Sequence, residues 1–203
     1  MAGFYKKIFA NFYDSFMHST ERGLYKKRKA LIEPLEGRIL EVGSGTGVNY
    51  QFYSSDAQIF ALDPNKSMLR RAEEKAPENL SITYLHHRIC DDKVEHHIKK
   101  HSLDAIVSTL VLCSVPDPEK AIERFKYWLK PNGKLIILEH IHADNKVNKK
   151  LQNIINPVWK SFSDGCNLNR NTDQLILEAG FTPSKSEYFV QSLRWVMGTY
   201  ELK

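Results

Sequence analysis

Three glycines at alternate positions, Gly43, Gly45 and Gly47, follow the short apolar run Ile39, Leu40 and Val42 in the stretch R-I-L-E-V-G-S-G-T-G-V-N-Y at 38–50. A continuous apolar run of this length reads as a parallel strand buried on both faces. Glycines directly after it let the chain turn sharply and let a ligand lie against bare backbone. A helix opening at that point would direct its free N–H groups at the ligand. An ordinary strand-to-helix turn would also tolerate glycines, so the acid two residues before the first glycine matters. The dinucleotide-binding fingerprint wants its last glycine where Val48 stands, with a pyrophosphate on the helix N-terminus. The pattern here is E-x-G-x-G-x-G instead, with Glu41 at its head.

A chain of 203 residues has room for one domain with a substantial core, or a domain with a small appendage. No apolar run reaches the roughly 18 residues of a membrane span, and no signal-peptide pattern is present. Cys90, Cys113 and Cys166 are odd in number and widely spaced, which argues against a disulfide framework and for a cytoplasmic location. The formal net charge is +5. Residues 1–30 hold seven Lys and Arg against Asp14 and Glu21, so that segment accounts for the whole excess. A nucleic-acid enzyme would spread basic charge around its catalytic face, so no nucleic-acid partner is expected.

Phe4, Ile8, Phe12 and Phe16 recur every fourth residue, the spacing of a helical stripe. It reads as a lid or packed helix rather than an interfacial one, because Lys and Arg are not arrayed along its polar face. The basic charge of this segment still leaves a peripheral membrane contact open. A second helix is expected from Glu21 to Ile32, ending at Pro34. Gln58 to Leu62 reads as a strand closed by Asp63. An acid about 20 residues after a glycine loop suits ribose hydroxyls, and with Pro64 next it also suits a helix N-cap. Met68, Leu69, Ala72 and Ala76 then form a buried helical face.

Ser81–Leu85 and Leu103–Val107 read as further strands, and Thr109–Val115 as an apolar loop. Asp117 and Pro118 open a helix, Pro131-Asn132-Gly133 turns the chain, and Leu135–Leu138 is a strand ending in Glu139-His140. Val147, Leu151, Ile154, Ile155 and Val158 mark an amphipathic helix interrupted near Pro157. A polar segment Ser163-Asp164-Gly165-Cys166-Asn167 follows, then a helix from Asn171 to Gly180 and closing strands at Tyr188–Val190 and Arg194–Tyr200. Strands alternating with helices imply a doubly wound parallel sheet. His97 and His101 stand at the i, i+4 spacing that can chelate zinc on a helix, but no Cys or acid completes a ligand pattern around them. A solvated connector and no metal site are expected there.

The chain resembles class I S-adenosylmethionine-dependent methyltransferases, and within them the methyltransferase-like thiol S-methyltransferases. The matching residues are E-V-G-S-G-T-G-V-N-Y, L-D-P-N at 62–65, T-L-V-L-C-S-V at 109–115, L-K-P-N-G at 129–133, E-H at 139–140 and N-P-V-W-K-S-F-S-D-G-C-N-L at 156–168. The T-L-V-L-C-S-V and D-G-C-N stretches are the more particular to that subfamily. The resemblance implies an α/β, Rossmann-like, doubly wound sheet of seven strands over 35–203, preceded by N-terminal lid helices over 1–34.

It also implies S-adenosylmethionine as cofactor and a small acceptor. An alkyl thiol methylated on sulfur is the first choice; a phospholipid amine, a quinone ring carbon or non-catalytic binding are the alternatives. Glu41, Gly43, Ser44, Gly45, Gly47 and Asn49 would hold the amino-acid end of the cofactor. Asp63 and Pro64 would face its ribose, Met68, Ile89 and Cys90 its adenine, and Thr109 and Leu110 its sulfonium. Tyr13 would close the site. Only a thiolate attacks well, so a base or cation would help, and Asp164, His140 and His142 are the candidates.

Overall fold

The computed structural model describes residues 22–202. The aromatic stripe from Phe4 to Phe16, with Tyr13, lies outside the described residues. The described chain begins in a helix, α1, over 22–32, and β1 (Arg38–Val42), β2 (Gln58–Leu62), α2 (Lys66–Glu74), β3 (Ser81–Leu85) and β4 (Leu103–Thr109) follow. Then come α3 (Pro118–Trp128), β5 (Leu129–Ile141), α4 (Lys146–Phe162), α5 (Thr172–Glu178), β6 (Phe181–Gln191) and β7 (Leu193–Leu202).

The strands form one seven-stranded sheet in the order β3-β2-β1-β4-β5-β7-β6. The first five pair in parallel, and β7 runs antiparallel to both β5 and β6. The order reverses between β1 and β4, and that switch point opens a crevice at the strands' carboxyl ends.

Side chains of the buried strands alternate between two cores. Leu40, Ile106, Leu135 and Ile137 face one, with Phe125 and Trp128 of α3. Ile39, Ala105, Val107, Ile136 and Leu138 face the other, with Leu24, Leu31 and Ile32 of α1. Each such large side chain contributes roughly 1.5–3 kcal/mol by leaving water.

Most element boundaries follow the sequence reading, and several differ for identifiable reasons. Asn65, not Asp63, caps α2: its side chain accepts from the N–H groups of Ser67 and Met68. That helix ends at Glu74, before Ala76. Strand β5 begins at Leu129, and the turn-forming residues 130–133 loop out where the ladder shifts between Leu103 and Ala105. Helix α4 continues through Pro157. Pro157 removes one N–H on an exposed face, where the freed carbonyl is open to water. Val147, Leu151, Ile154 and Val158 on that helix are all more than half exposed, so its apolar stripe faces away from the described core. His97 and His101 share no helix: the ordered turn there is 3-10 and stops at His96, and His101 Nδ1 bonds the Leu129 carbonyl at 2.9 Å. Among the described residues no helix is long and apolar enough to cross a membrane.

The contact between β6 and β7 is tight enough to test. A Cβ on Gly198 would stand 2.6 Å from the Lys185 carbonyl oxygen, a backbone atom that can yield only by moving β6. Gly198→Ala is expected to cost about 1–3 kcal/mol in urea unfolding. An unchanged midpoint would show that β6 is free to shift.

Candidate functional site

The first half of the site is built on the end of β1. Glu41 is 2% exposed, and its Oε1 accepts from Asn49 Nδ2 at 3.0 Å. The same amide donates to Thr109 Oγ1 at 3.1 Å, at the end of β4. Buried Arg28 reaches in from α1, donating to Asn49 Oδ1 at 3.0 Å and Thr109 Oγ1 at 2.7 Å. One charge-assisted network therefore joins α1, β1, the glycine turn and β4.

Glu41 Oε2 and the hydroxyl of neighbouring Tyr53 are buried without a hydrogen bond of ordinary geometry. Burial pushes the Glu41 carboxyl up to about 7, against the pull of Tyr53, Asn49 and the Arg28 charge. A buried carboxylate oxygen with spare acceptor capacity suits a cationic ligand group.

The glycine turn supplies the space beside it. Gly43 has φ +61°, and a Cβ there would meet the Val111 side chain at 2.5 Å, so the turn packs directly on the loop after β4. Gly45 has φ +56° and faces open room, with its nearest neighbour 3.9 Å away. That is a cradle a side chain would fill. Asp63 steadies the turn: its Oδ2 accepts from Gly45 N at 2.9 Å and its Oδ1 from Asn65 N at 2.7 Å. Each oxygen keeps acceptor capacity for a sugar hydroxyl. Ser44 Oγ pairs with the Tyr50 hydroxyl at 2.7 Å. Buried carboxylate, open cradle and acid together fit S-adenosylmethionine, whose amino-acid end is cationic at nitrogen and whose ribose offers hydroxyls.

The second half lies on the same carboxyl edge, at the ends of β4 and β5. Leu110 sits at φ +61°, a strained conformation for a branched residue. It is held there because buried Glu139 Oε1 accepts the next two N–H groups, Val111 at 2.7 Å and Leu112 at 2.9 Å. Burial raises the Glu139 carboxyl, and these N–H groups pull the other way.

Residues 163–170 lock onto this loop from outside. Asn167 gives both its backbone N–H and its side-chain amide to the Cys113 carbonyl, each at 2.9 Å. The Arg170 guanidinium bonds the carbonyls of Leu112 and Val115. The T-L-V-L-C-S-V and D-G-C-N stretches are thus two sides of one contact.

Inside it three chemistry-bearing side chains meet. His140 Nε2 lies 3.0 Å from Cys166 Sγ, and Cys113 joins them with all three donor atoms within 4.8 Å of one another. All three residues are buried. The Cys113 thiol, then His140 and Trp159, hold Cys166 well below the usual thiol range despite burial. The hydrogen bond to Cys166, then burial, push Cys113 up. Burial opposes charging His140, but Cys166 outweighs it and raises the imidazole.

Most of the residues singled out in the sequence line this edge. Glu41, Gly43, Ser44, Gly45, Gly47, Asn49, Asp63, Thr109 and Leu110 surround the switch point. Pro64 and Met68 open α2 beside it, the one exposed and the other half-buried. Ile89 is 8% exposed within the core, and the Cys90 thiol approaches the Asp117 carbonyl at 3.9 Å. Of the three base candidates, only His140 faces a reactive group. Asp164 occupies a left-handed turn at φ +51°, is exposed and has no bond among the described residues. The turn presents Cys166 inward instead. His142 Nε2 is buried without a hydrogen-bond partner among the described residues. Sequence reasoning gave no site role to Arg28, Glu139 or Arg170. Arg28 and Glu139 stand out only as charges at otherwise apolar positions, Glu139 also within the E-H match at 139–140. Arg170 lies among Asn167, Asn169 and Asn171 with no such signal.

Residues 40–137 match the family described as Methyltransferase domain. The thiol S-methyltransferase TMT1B of Rattus norvegicus is 32% identical over 182 residues, 89% of this chain and 75% of that protein. The thiol S-methyltransferase TMT1A of Homo sapiens is 30% identical over 190 residues, 92% and 78% of the respective chains. The crystal structure of the S-adenosylmethionine dependent methyltransferase from Mesorhizobium loti superposes with a TM-score of 0.65 at 16% identity, over 88% of this chain and 97% of that one.

Glu41 gives this site a pH signature. An acid with a folded pKa of about 7 and an unfolded one of 4.5 carries more protons when folded between those values. Stability therefore falls as pH rises from 4.5 to 7, by about 3 kcal/mol at roughly 1.4 kcal/mol per unit. Glu41→Gln removes that penalty and keeps an acceptor for Asn49. Without added ligand, the variant's advantage in urea unfolding is expected at pH 8 and should vanish at pH 4.5. A pH-independent difference would mean the carboxyl is not held neutral by burial.

Proposed function

The chain belongs to the class I S-adenosylmethionine-dependent methyltransferases, and from that premise we propose that its acceptor is a small apolar thiol, methylated on sulfur. The observation that carries this reading is the interlocked pair of segments at 109–115 and 163–170, which set Cys113, His140 and Cys166 beside the end of β4. Relatives that match about nine-tenths of this chain are named thiol S-methyltransferases.

When bound, the cofactor supplies a methyl carbon on a sulfonium, which is already an excellent leaving group. The protein's task is alignment, where effective molarity alone is worth roughly 7–11 kcal/mol in good cases. In this reading Glu41 Oε2 receives the cofactor's ammonium, and the bare face of Gly45 receives its amino-acid chain. Asp63 accepts from the ribose while its bond to Gly45 N keeps the turn in register. Arg28 holds Thr109 and Asn49 in place. Its buried positive charge offsets the Glu41 carboxylate on the cofactor side of the site. Glu139 fixes the loop at 110–113 that walls the acceptor's side, and the cluster around His140 stabilises a thiolate there.

Two measurements test it. Calorimetry with S-adenosylhomocysteine should show Asp63→Ala weakened by about 1–3 kcal/mol, the worth of hydrogen bonds lost from a buried sugar. Equal affinities would remove Asp63 from the ribose. With methyl-labelled cofactor, alkyl thiols should be methylated at a rate that rises with pH and levels near the acceptor's effective pKa. Transfer to a phospholipid amine or a quinone, with alkyl thiols inert, would overturn the acceptor.

A further inference from the structure

The cluster at the ends of β4 and β5 has the composition of a metal centre as well as a place beside the crevice. We propose that Cys113 Sγ, His140 Nε2 and Cys166 Sγ bind one zinc ion with three protein ligands and an open fourth position, and that the acceptor thiol enters there. The second half of the proposal rests on the thiol reading above; the first does not.

Three observations support it. The donor set is two sulfurs and one imidazole nitrogen, the soft and borderline ligands zinc prefers, and all lie within 4.8 Å of one another. Zinc–sulfur bonds of about 2.3 Å and zinc–nitrogen bonds of about 2.0–2.1 Å put ligand atoms roughly 3.5–3.8 Å apart in a tetrahedron. The 3.0 Å between His140 Nε2 and Cys166 Sγ needs only a small opening to admit the ion.

The ligands are also held by their surroundings. Cys113 is pinned through its carbonyl by Asn167, and His140 pairs with Trp195 of β7, its ring edge-on to that indole. The Cys166 N–H bonds the Ser163 carbonyl at 3.1 Å. Metal sites depend on fixing by outer contacts, and here His140 is held by the Trp195 ring, since its Nδ1 is buried without a hydrogen-bond partner among the described residues.

Burial completes the case. Cys113 is 2% exposed, His140 5% and Cys166 8%. Without a metal the three donors have chiefly one another, His140 Nε2 against Cys166 Sγ at 3.0 Å and Cys113 against Cys166. A divalent cation satisfies all three at once. Sites with three protein ligands are those that keep a position for a substrate.

The chemistry balances. The acceptor's S–H bond breaks on coordination and its proton leaves to bulk water, since a coordinated thiol is deprotonated outright. A sulfur lone pair then forms the new bond to the methyl carbon. The methyl–sulfonium bond breaks, and its electron pair returns to the cofactor sulfur. The product is a neutral thioether, a weaker ligand than the thiolate, and it departs.

The test uses the full chain, reduced and stripped of metal, titrated with Co2+ as a spectroscopic stand-in for zinc. One equivalent should produce thiolate-to-cobalt charge transfer and the visible bands of tetrahedral cobalt, and Zn2+ should displace them. Cys113→Ser, His140→Ala and Cys166→Ser should each weaken uptake by more than the 10–100-fold that loss of an outer partner costs. Unchanged S-adenosylhomocysteine binding would show that each variant is folded. No uptake by the reduced protein would overturn the site. Uptake indifferent to all three variants, or a Cys113–Cys166 disulfide in place of metal binding, would overturn it equally.

Adding an alkyl thiol to the cobalt protein should shift the charge-transfer bands. Tight metal binding with no shift would overturn the open position. A protein that binds metal and methylates no thiol refutes the acceptor and leaves the metal site. One that methylates thiols as fast when metal-free refutes the entry of the acceptor onto the metal and leaves the thiol reading, while cobalt uptake alone decides the metal site.

Discussion

The Glu139 carboxylate, fully buried at the end of β5, is the constraint on which the acceptor side of this protein depends. Burial alone would make a carboxyl there a liability. The N–H groups of Val111 and Leu112 turn it into an anchor, because they would otherwise be orphaned at the end of a parallel strand. The exchange holds Leu110 in a conformation its side chain disfavours. That bend carries the chain out of β4 toward the segment at 163–170. Asn167 and Arg170 complete the fixation from the far side.

The cofactor side follows the same logic with opposite charge. Arg28 is buried, and the atoms it reaches belong to the end of β4 and the turn after β1. Helix α1 is thus tied to the catalytic edge by chemistry and to the core by Leu24 and Ile32. The basic character of the leading segment reads differently in this light. One of its seven cations is not a surface charge at all, since it neutralises a buried network that includes Glu41.

The sheet was legible because parallel strands buried on both faces leave short apolar runs in the sequence, and E-x-G-x-G-x-G marks where the first one ends. The cofactor half was legible for the same reason, since Glu41, Gly45 and Asp63 are close in sequence to the turn they build. The acceptor half was legible only in outline. Cys113, His140 and Cys166 come from three separate elements, and nothing local says that they meet. His97 and His101 have regular spacing and no helix to use it. Asp164 misled for a related reason: in a left-handed turn the residue beside the glycine faces out, and the one after it faces in. Arg28 was read as part of a charge count because helical periodicity reports which face is apolar, and a single buried cation hardly alters it.

The position of β7 has a consequence for biosynthesis. It lies between β5 and β6 although it comes after both along the chain. Until it has emerged, the strand bearing Glu139 and His140 has one open edge, and β6 has no neighbour to join. The nucleotide-side strands β1 to β4 can assemble early from pairings that need nothing downstream. The thiol-and-imidazole cluster acquires its Trp195 wall only when the hairpin closes. A nascent chain would therefore reach cofactor competence before its acceptor wall is finished, so the order of translation would also be the order of assembly.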